Sequence, residues 1–228
     1  MKQLALGMRL RADANFESFS PGLNTELVSV LRSAGMDPLW LWGSRGSGKT
    51  HLLQAVVAAA GETAAYFPLS RASALPVAAL VGFESCPVLC LDDVDAVAGD
   101  LRWEQALFRL FNEGAELCTR LIFAAAAAPR RIAWSLDDWG SRAAACLVYQ
   151  LHDLDDAGLI EALRRRAAQR GLQLPQETSE YLLRRLPRDL PSLFDVLDQL
   201  DEASLIAQRR LTIPFIRDAL ERLAGTKS

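Results

Sequence analysis

The sequence predicts an α/β protein, a parallel sheet flanked by helices, with an all-helical subdomain on its C-terminal side. Three observations carry this. Short continuous apolar runs recur between stretches of helical periodicity, and such runs mark strands buried on both faces of a parallel sheet. The first run, Leu39-Trp40-Leu41-Trp42, passes through a glycine-rich turn directly into a helical stretch, the strand–loop–helix unit of covered sheets. After Asp153 the apolar runs stop and only amphipathic helical patterns follow.

Taken in order, the first fifteen residues do not look like core: Gln3-Leu4-Ala5-Leu6 is a short apolar patch on a polar segment. Phe16 and Phe19 precede a Pro21-Gly22 turn and a helix over residues 24–33. The strand over 39–42 leads through its loop into a helix reaching about residue 60. A second strand over 64–68 and a short helix over 74–81 come next. Pro87-Val88-Leu89-Cys90-Leu91 is a third strand, ending on Asp92-Asp93, with Cys90 as a small core residue. A helix over 101–117 places Trp103, Leu107, Leu110 and Phe111 near one face. Strands over 120–125 and 148–151 complete the sheet, and crossovers between such strands are right-handed almost without exception. The remainder reads as helices over 155–170, 175–186, 191–208 and 213–223. Gly171 is a helix stop, Thr212 an N-cap, and Pro214 is tolerated in a first turn. The expected organisation is a leading segment 1–12, an α/β domain 13–153 and a helical subdomain 154–228.

Composition excludes several classes. The chain has 228 residues, half of them hydrophobic, enough for a proper core and a small appendage. Its net charge is −3 and its pI about 5.5, and no Lys/Arg stripe of the kind that neutralises a nucleic-acid backbone is present. The clusters Arg164-Arg165-Arg166 and Arg184-Arg185 alternate with acidic residues and read as solvated helix faces. The cysteines, Cys86, Cys90, Cys118 and Cys146, have no zinc-ligand spacing, and the only histidines are His51 and His152. No secretory signal or membrane-spanning run is apparent, so a reduced cytoplasmic setting is expected.

The informative motif is Gly43-Ser44-Arg45-Gly46-Ser47-Gly48-Lys49-Thr50, a complete G-x-x-x-x-G-K-T phosphate loop between strand and helix. Its glycines let backbone N–H groups face phosphate oxygens, and the helix N-terminus adds partial positive charge. Lys49 reaches the β/γ-phosphates and the Thr50 hydroxyl ligates magnesium. A second motif lies about forty residues on, at Val88-Leu89-Cys90-Leu91-Asp92-Asp93. A carboxylate at the tip of a buried strand stands beside the phosphate loop, at the sheet edge where ligands bind. Asp92 is therefore expected to hold magnesium, largely through water, and Asp93 to orient an attacking water. The chain is expected to bind a purine nucleotide.

Both motifs followed by a helical lid resemble the AAA+ ATPases, and within them the replication-initiator branch. The resemblance is strongest to the Hda family of DnaA-homologous regulators. It rests on Gln3-Leu4-Ala5-Leu6, Phe16-Glu17-Ser18-Phe19, the run from Asp92 to Asp100, and Trp103-Glu104-Gln105-Ala106-Leu107-Phe108. It rests above all on Leu197-Asp198-Gln199-Leu200-Asp201 and Ala207-Gln208-Arg209-Arg210-Leu211-Thr212-Ile213-Pro214-Phe215. The initiator's DNA-binding domain would follow the lid; here the chain stops, in keeping with the missing basic stripe. The resemblance implies bound ADP (or ATP) with Mg2+, and attachment to the DNA-loaded sliding clamp. In that state such a protein stimulates hydrolysis of ATP bound to the initiator DnaA, preventing over-initiation. Sequence-specific DNA binding and membrane association are not implied, and a homodimer is left open.

Particular residues inherit roles from this resemblance. Gln3, Leu4 and Leu6 match the core of a clamp-binding peptide, in which leucines seat in an apolar pocket and the glutamine amide bonds its rim. Arg142, in Asp138-Trp139-Gly140-Ser141-Arg142, matches the arginine finger, which reaches a neighbour's nucleotide and stabilises charge on the transferring phosphoryl group. Two departures stand out. Ala126 occupies the position of the polar sensor that holds a γ-phosphate and attacking water. Pro191 falls where a lid arginine would touch phosphate, with Arg188 a possible substitute. Losing one such preorganised group typically costs about 10²–10³ in rate. The expectation is a nucleotide kept as a structural ligand, a feeble ATPase at best, and catalysis in the partner's site. Two other readings remain at this stage: an autonomous ATPase of helicase-loader type, and a non-enzymatic clamp or initiator adaptor with a vestigial nucleotide site.

Overall fold

The computed structural model describes residues 14–207 and 211–225; Gln3, Leu4, Leu6 and the rest of the leading segment lie outside these described residues. The chain divides after Asp153 into two compact units. In the first, β1 (Leu39–Trp42), β2 (Ala64–Pro68), β3 (Val88–Asp92), β4 (Arg120–Ala125) and β5 (Leu147–Gln150) form one sheet in the order β2-β3-β4-β1-β5. All four pairings are parallel.

Parity along the strands builds two cores. Trp40, Leu89, Leu91, Leu121 and Phe123 face one side, where α3 (Leu101–Glu116) and α4 (Asp137–Ala144) cover them with Trp103, Leu107, Phe111 and Trp139. Leu39, Leu41, Cys90, Ile122 and Ala124 face the other, beneath α1 (Thr25–Arg32) and α2 (Lys49–Ala60). Central β4 is buried throughout, which is why its sequence after Arg120 is apolar without alternation. Cys90 is fully buried, and burial pushes its thiol pKa up.

The second core takes in Phe16 and Phe19, and Ala14 is buried as well, so the core begins earlier than the expected fifteen-residue polar lead. His51 Nε2 lies 2.9 Å from Asn15 O and 3.1 Å from Ser18 Oγ, which ties this leading stretch to α2. Asn24 is buried just ahead of α1. Its Nδ2 donates to His152 O at 2.9 Å and its Oδ1 accepts the His152 N–H at 2.8 Å. The side-chain amide thus acts as a substitute strand just beyond β5.

The short helix expected over 74–81 is absent. Two 3-10 turns, Leu69–Ala74 and Val77–Leu80, stand in its place. Pro76 separates them by forcing Leu75 into an extended conformation, φ −126° and ψ 144°. Helix α4 was not foreseen; the residues that match the finger element were expected only as a segment.

The second unit is built from α5 (Asp156–Gln169), α6 (Gln176–Arg185), α7 (Leu190–Ala207) and α8 (Ile213–Gly225) around Leu163, Leu182, Leu197, Leu200 and Ile216. Asp155 caps α5 by accepting the Gly158 N–H, and Gly171, at φ 75°, stops the chain after α5. Arg166 of α5 and Arg170 at its C-cap pair with Asp198 and Asp201 of α7. Asp189 accepts the Ser192 N–H at 2.8 Å, so Pro191 sits in the first turn of α7, where its missing donor has no helical partner to lose.

Replacing Asn24 with Ala removes both bonds to His152 and leaves two backbone groups to find other partners. Chemical denaturation should report a loss of about 1–3 kcal/mol in the stability of the first unit.

Candidate phosphate-binding site

Strand order reverses at β1, and ligands of open sheets bind outside the strand ends at such a point. The register pairs Trp42 with Ala125, so Gly43 and Ala126 leave the sheet side by side. The loop Gly43–Thr50 turns back over the end of β1 into α2. Gly46 and Gly48 carry φ values of 86° and 103°. Gly48 has no room for a side chain in any case, since a Cβ there would lie 2.8 Å from the Phe19 ring.

Lys49 is buried, and its Nζ donates to Gly43 O at 2.7 Å and Ser44 O at 2.8 Å, closing the loop around its own ammonium. Burial lowers its pKa, while Asp92, Asp93, Asp95 and Asp153 act in the opposite direction. Ser44 Oγ donates to Asp153 Oδ1. Ser47 Oγ is buried with no hydrogen-bond partner among the described residues. A buried hydroxyl without a partner, in a loop of this shape, fits a phosphate oxygen as its complement. Arg45 is exposed.

Asp92 closes β3. Its Oδ2 accepts from Thr50 Oγ1 at 2.6 Å and from Tyr66 Oη at 2.9 Å, and its Oδ1 accepts the Asp93 N–H at 3.0 Å. Burial raises the Asp92 pKa; the Thr50 bond opposes this, and the nearby Asp93 charge adds to it. Tyr66 is pushed up as well, by its own burial and by Asp92. Asp93 adopts a left-handed conformation, φ 54° and ψ 46°, which is unusual outside glycine and costs on the order of 1 kcal/mol. Among the described residues no group of three or more His, Cys, Asp or Glu side chains could hold a metal unaided. The pair Thr50 and Asp92 offers hard oxygen donors to Mg2+, which takes its other ligands from phosphate and water, so the two fit it together with a nucleotide.

At the neighbouring strand tip Ala126 is exposed, and its N–H donates to Asp95 Oδ1 at 3.1 Å. No polar side chain stands at this position. In the helical unit Arg188 is exposed and pairs with Asp156 at 3.2 Å.

Arg142 lies on α4, exposed, with no ion-pair partner among the described residues. Trp139 and Ala143, one turn apart, face inward and are fully buried. Trp139 packs against Phe111, Phe123 and Trp134 with ring centroids 5.6–6.3 Å apart. The start of the helix is held by Glu104 of α3, whose carboxylate is wholly buried. Its Oε2 accepts the Leu136 N–H at 2.6 Å and its Oε1 the Gly99 N–H at 2.7 Å. One side chain therefore ties the segment after Asp92 to the helix that carries Arg142.

Tyr66, Asn24 and the stapling role of Glu104 escaped sequence reasoning. Glu104 stood in a quoted motif, but nothing in the sequence shows two backbone amides converging on it. Tyr66 gave no signal, since it reads simply as a strand aromatic.

Two outcomes follow from these contacts. Glu104→Ala should cost about 1–3 kcal/mol in denaturation, and Glu104→Gln less, because the amide still accepts one of the two N–H groups. Asp92, with a pKa raised by folding, opposes stability when ionised; lowering the pH from neutral should stabilise wild type relative to Asp92→Asn as the carboxylate takes up its proton. At neutral pH the Asp92→Asn protein should be as stable as wild type or more so, while its Mg2+-dependent ADP affinity, measured by calorimetry, falls about tenfold or more.

Comparison with known proteins agrees with this geometry. Residues 155–220 match the family model "Hda, lid domain". The chain is similar to domain III of the replication initiation protein DnaA from Thermotoga maritima, with 21% identity and a TM-score of 0.81 over 94% of this chain and 98% of that one. AMPPCP-bound DnaA from Aquifex aeolicus matches at 22% identity and a TM-score of 0.71, over 96% and 71% of the two chains. The Thermotoga maritima RuvB Holliday junction branch migration motor matches at 13% identity and 0.68, over 87% and 67%. The structural likenesses establish the fold, and over residues 155–220 the sequence is similar to the Hda lid.

Proposed function

We propose that the chain is a negative regulator of chromosomal replication initiation, carrying ADP and acting on ATP held by the initiator DnaA. The observation that carries this reading is an asymmetry. The element that would act on a partner is rigidly built and presents an exposed cation with no ion-pair partner among the described residues, while the γ-phosphate end of the chain's own site has alanine where a donor side chain would stand.

In its own site, Gly43, Ser44, Arg45, Gly46, Ser47 and Gly48 surround a diphosphate, Lys49 supplies positive charge, and Thr50 and Asp92 hold Mg2+. The metal neutralises phosphate charge. Asp93 keeps a carboxylate where water would be oriented, but with Ala126 opposite, intrinsic hydrolysis is slow. ADP is a structural ligand that stabilises the α/β unit by mass action. The arginine finger, Arg142, enters the nucleotide site of DnaA in trans, where its guanidinium stabilises charge on the transferring phosphoryl group. Gln3, Leu4 and Leu6 attach the chain to the DNA-loaded sliding clamp, which concentrates it near its partner. This reading sets the protein in the cytoplasm; among the described residues no helix is long and apolar enough to cross a membrane.

The test is hydrolysis of DnaA-bound ATP in the presence of DNA-loaded clamp. Arg142→Ala should reduce stimulation by about 10³-fold or more, with ADP affinity and melting temperature unchanged. Gln3→Ala should lose stimulation at limiting clamp and regain it when clamp is in excess. Full stimulation by Arg142→Ala would remove the proposed role, and rapid ATP turnover by the isolated chain would point instead to an autonomous ATPase.

A further inference from the structure

At the exposed tip of β4 the Ala126 N–H does not face an empty site. It is taken up by Asp95. Asp95 belongs to the 3-10 turn Val94–Val97, which follows directly on Asp92 and Asp93 and is closed by the Ala98 N–H bonded to Asp95 O. The register sets this tip next to the phosphate loop, because Ala125 pairs with Trp42 and the next residues are Ala126 and Gly43. The Asp95 carboxylate is also near enough to the Lys49 ammonium to act on it, as are Asp92, Asp93 and Asp153. The Lys49 ammonium thus stands among four carboxylates.

For a diphosphate this arrangement is tolerable. The loop amides and Lys49 meet the two phosphates, and Mg2+ offsets their charge. A third phosphoryl group extends away from the loop and brings an additional negative charge. At the β4 tip it would find an amide already occupied and a carboxylate in place of a donor. Like charges held close at a partly dry site repel strongly enough to change affinity by an order of magnitude or more.

We infer that Asp95, fixed by the Ala126 amide, is the residue that makes this site select a nucleoside diphosphate over a triphosphate. The inference rests on the nucleotide reading above and deepens it: diphosphate retention is a charge effect written into the segment after Asp92, beyond the lack of a sensor side chain.

The experiment is calorimetric titration of the full chain with MgADP and with MgATP, for wild type, Asp95→Asn and Asp95→Glu. Asparagine can still accept the Ala126 N–H through its carbonyl oxygen, so the substitution removes charge and leaves the tip in place. Wild type should prefer ADP. In Asp95→Asn the ATP affinity should rise about tenfold while ADP affinity changes by less than about twofold; Asp95→Glu should keep the wild-type preference. An unchanged ADP-to-ATP ratio in Asp95→Asn overturns the inference and leaves the nucleotide reading standing. Failure of wild type to bind ADP overturns both. Should Asp95→Asn not fold, wild type alone decides: a preference set by charge must shrink as ionic strength rises, and one insensitive to salt refutes the role of Asp95.

Discussion

A single buried ammonium organises the first unit. Lys49 has left water, and an uncompensated buried cation would be very costly. Its compensation comes from the two carbonyls at the start of its own loop and from carboxylates at strand ends and in the segment beyond β5. These groups converge only if β1, β3 and β4 are in register, if the loop folds back over β1, and if the 3-10 turn after Asp93 closes. Asp92 meets the same constraint from the other side. It is a buried carboxylate whose two oxygens accept three hydrogen bonds, from Thr50, Tyr66 and the Asp93 amide.

The same sheet supports a second, separate element. Helix α4 is short and rich in small residues, and an isolated helix of that kind would not persist in water. Its order comes from outside: a nest of aromatic rings beneath Trp139 and the Glu104 carboxylate at its first turn. Arg142 therefore projects from a stiff mount. Glu104 also binds Gly99, so helix α4 and the segment carrying Asp95 share one anchor.

Much of this was legible in the sequence, for physical reasons. Strands buried on both faces cannot alternate, so 39–42, 87–91 and 120–125 announced themselves, and the phosphate loop has few other meanings between a strand and a helix. What was missed depends on contacts between distant positions. Tyr66 meets Asp92 across 26 residues and Glu104 meets Leu136 across 32; no local periodicity encodes either. Helix α4 escaped because Trp139 and Ala143 are too few to write an amphipathic pattern. The supposed helix over 74–81 failed on Pro76, a breaker inside an apolar stretch. The sequence did not reveal that the Asp95 carboxylate takes up the Ala126 amide.

The contacts of the leading stretch have one more implication. Phe19 lies against Gly48, and Asn15 and Ser18 meet His51, the neighbour of Thr50. The stretch is thus a lever fastened to the cradle of the phosphates and not a loose leash. A displacement at Asn15 or Phe19 reaches the loop through these contacts, and a change in the loop's shape is felt there in return. The loop and residues 15–19 are, in this architecture, one mechanical piece.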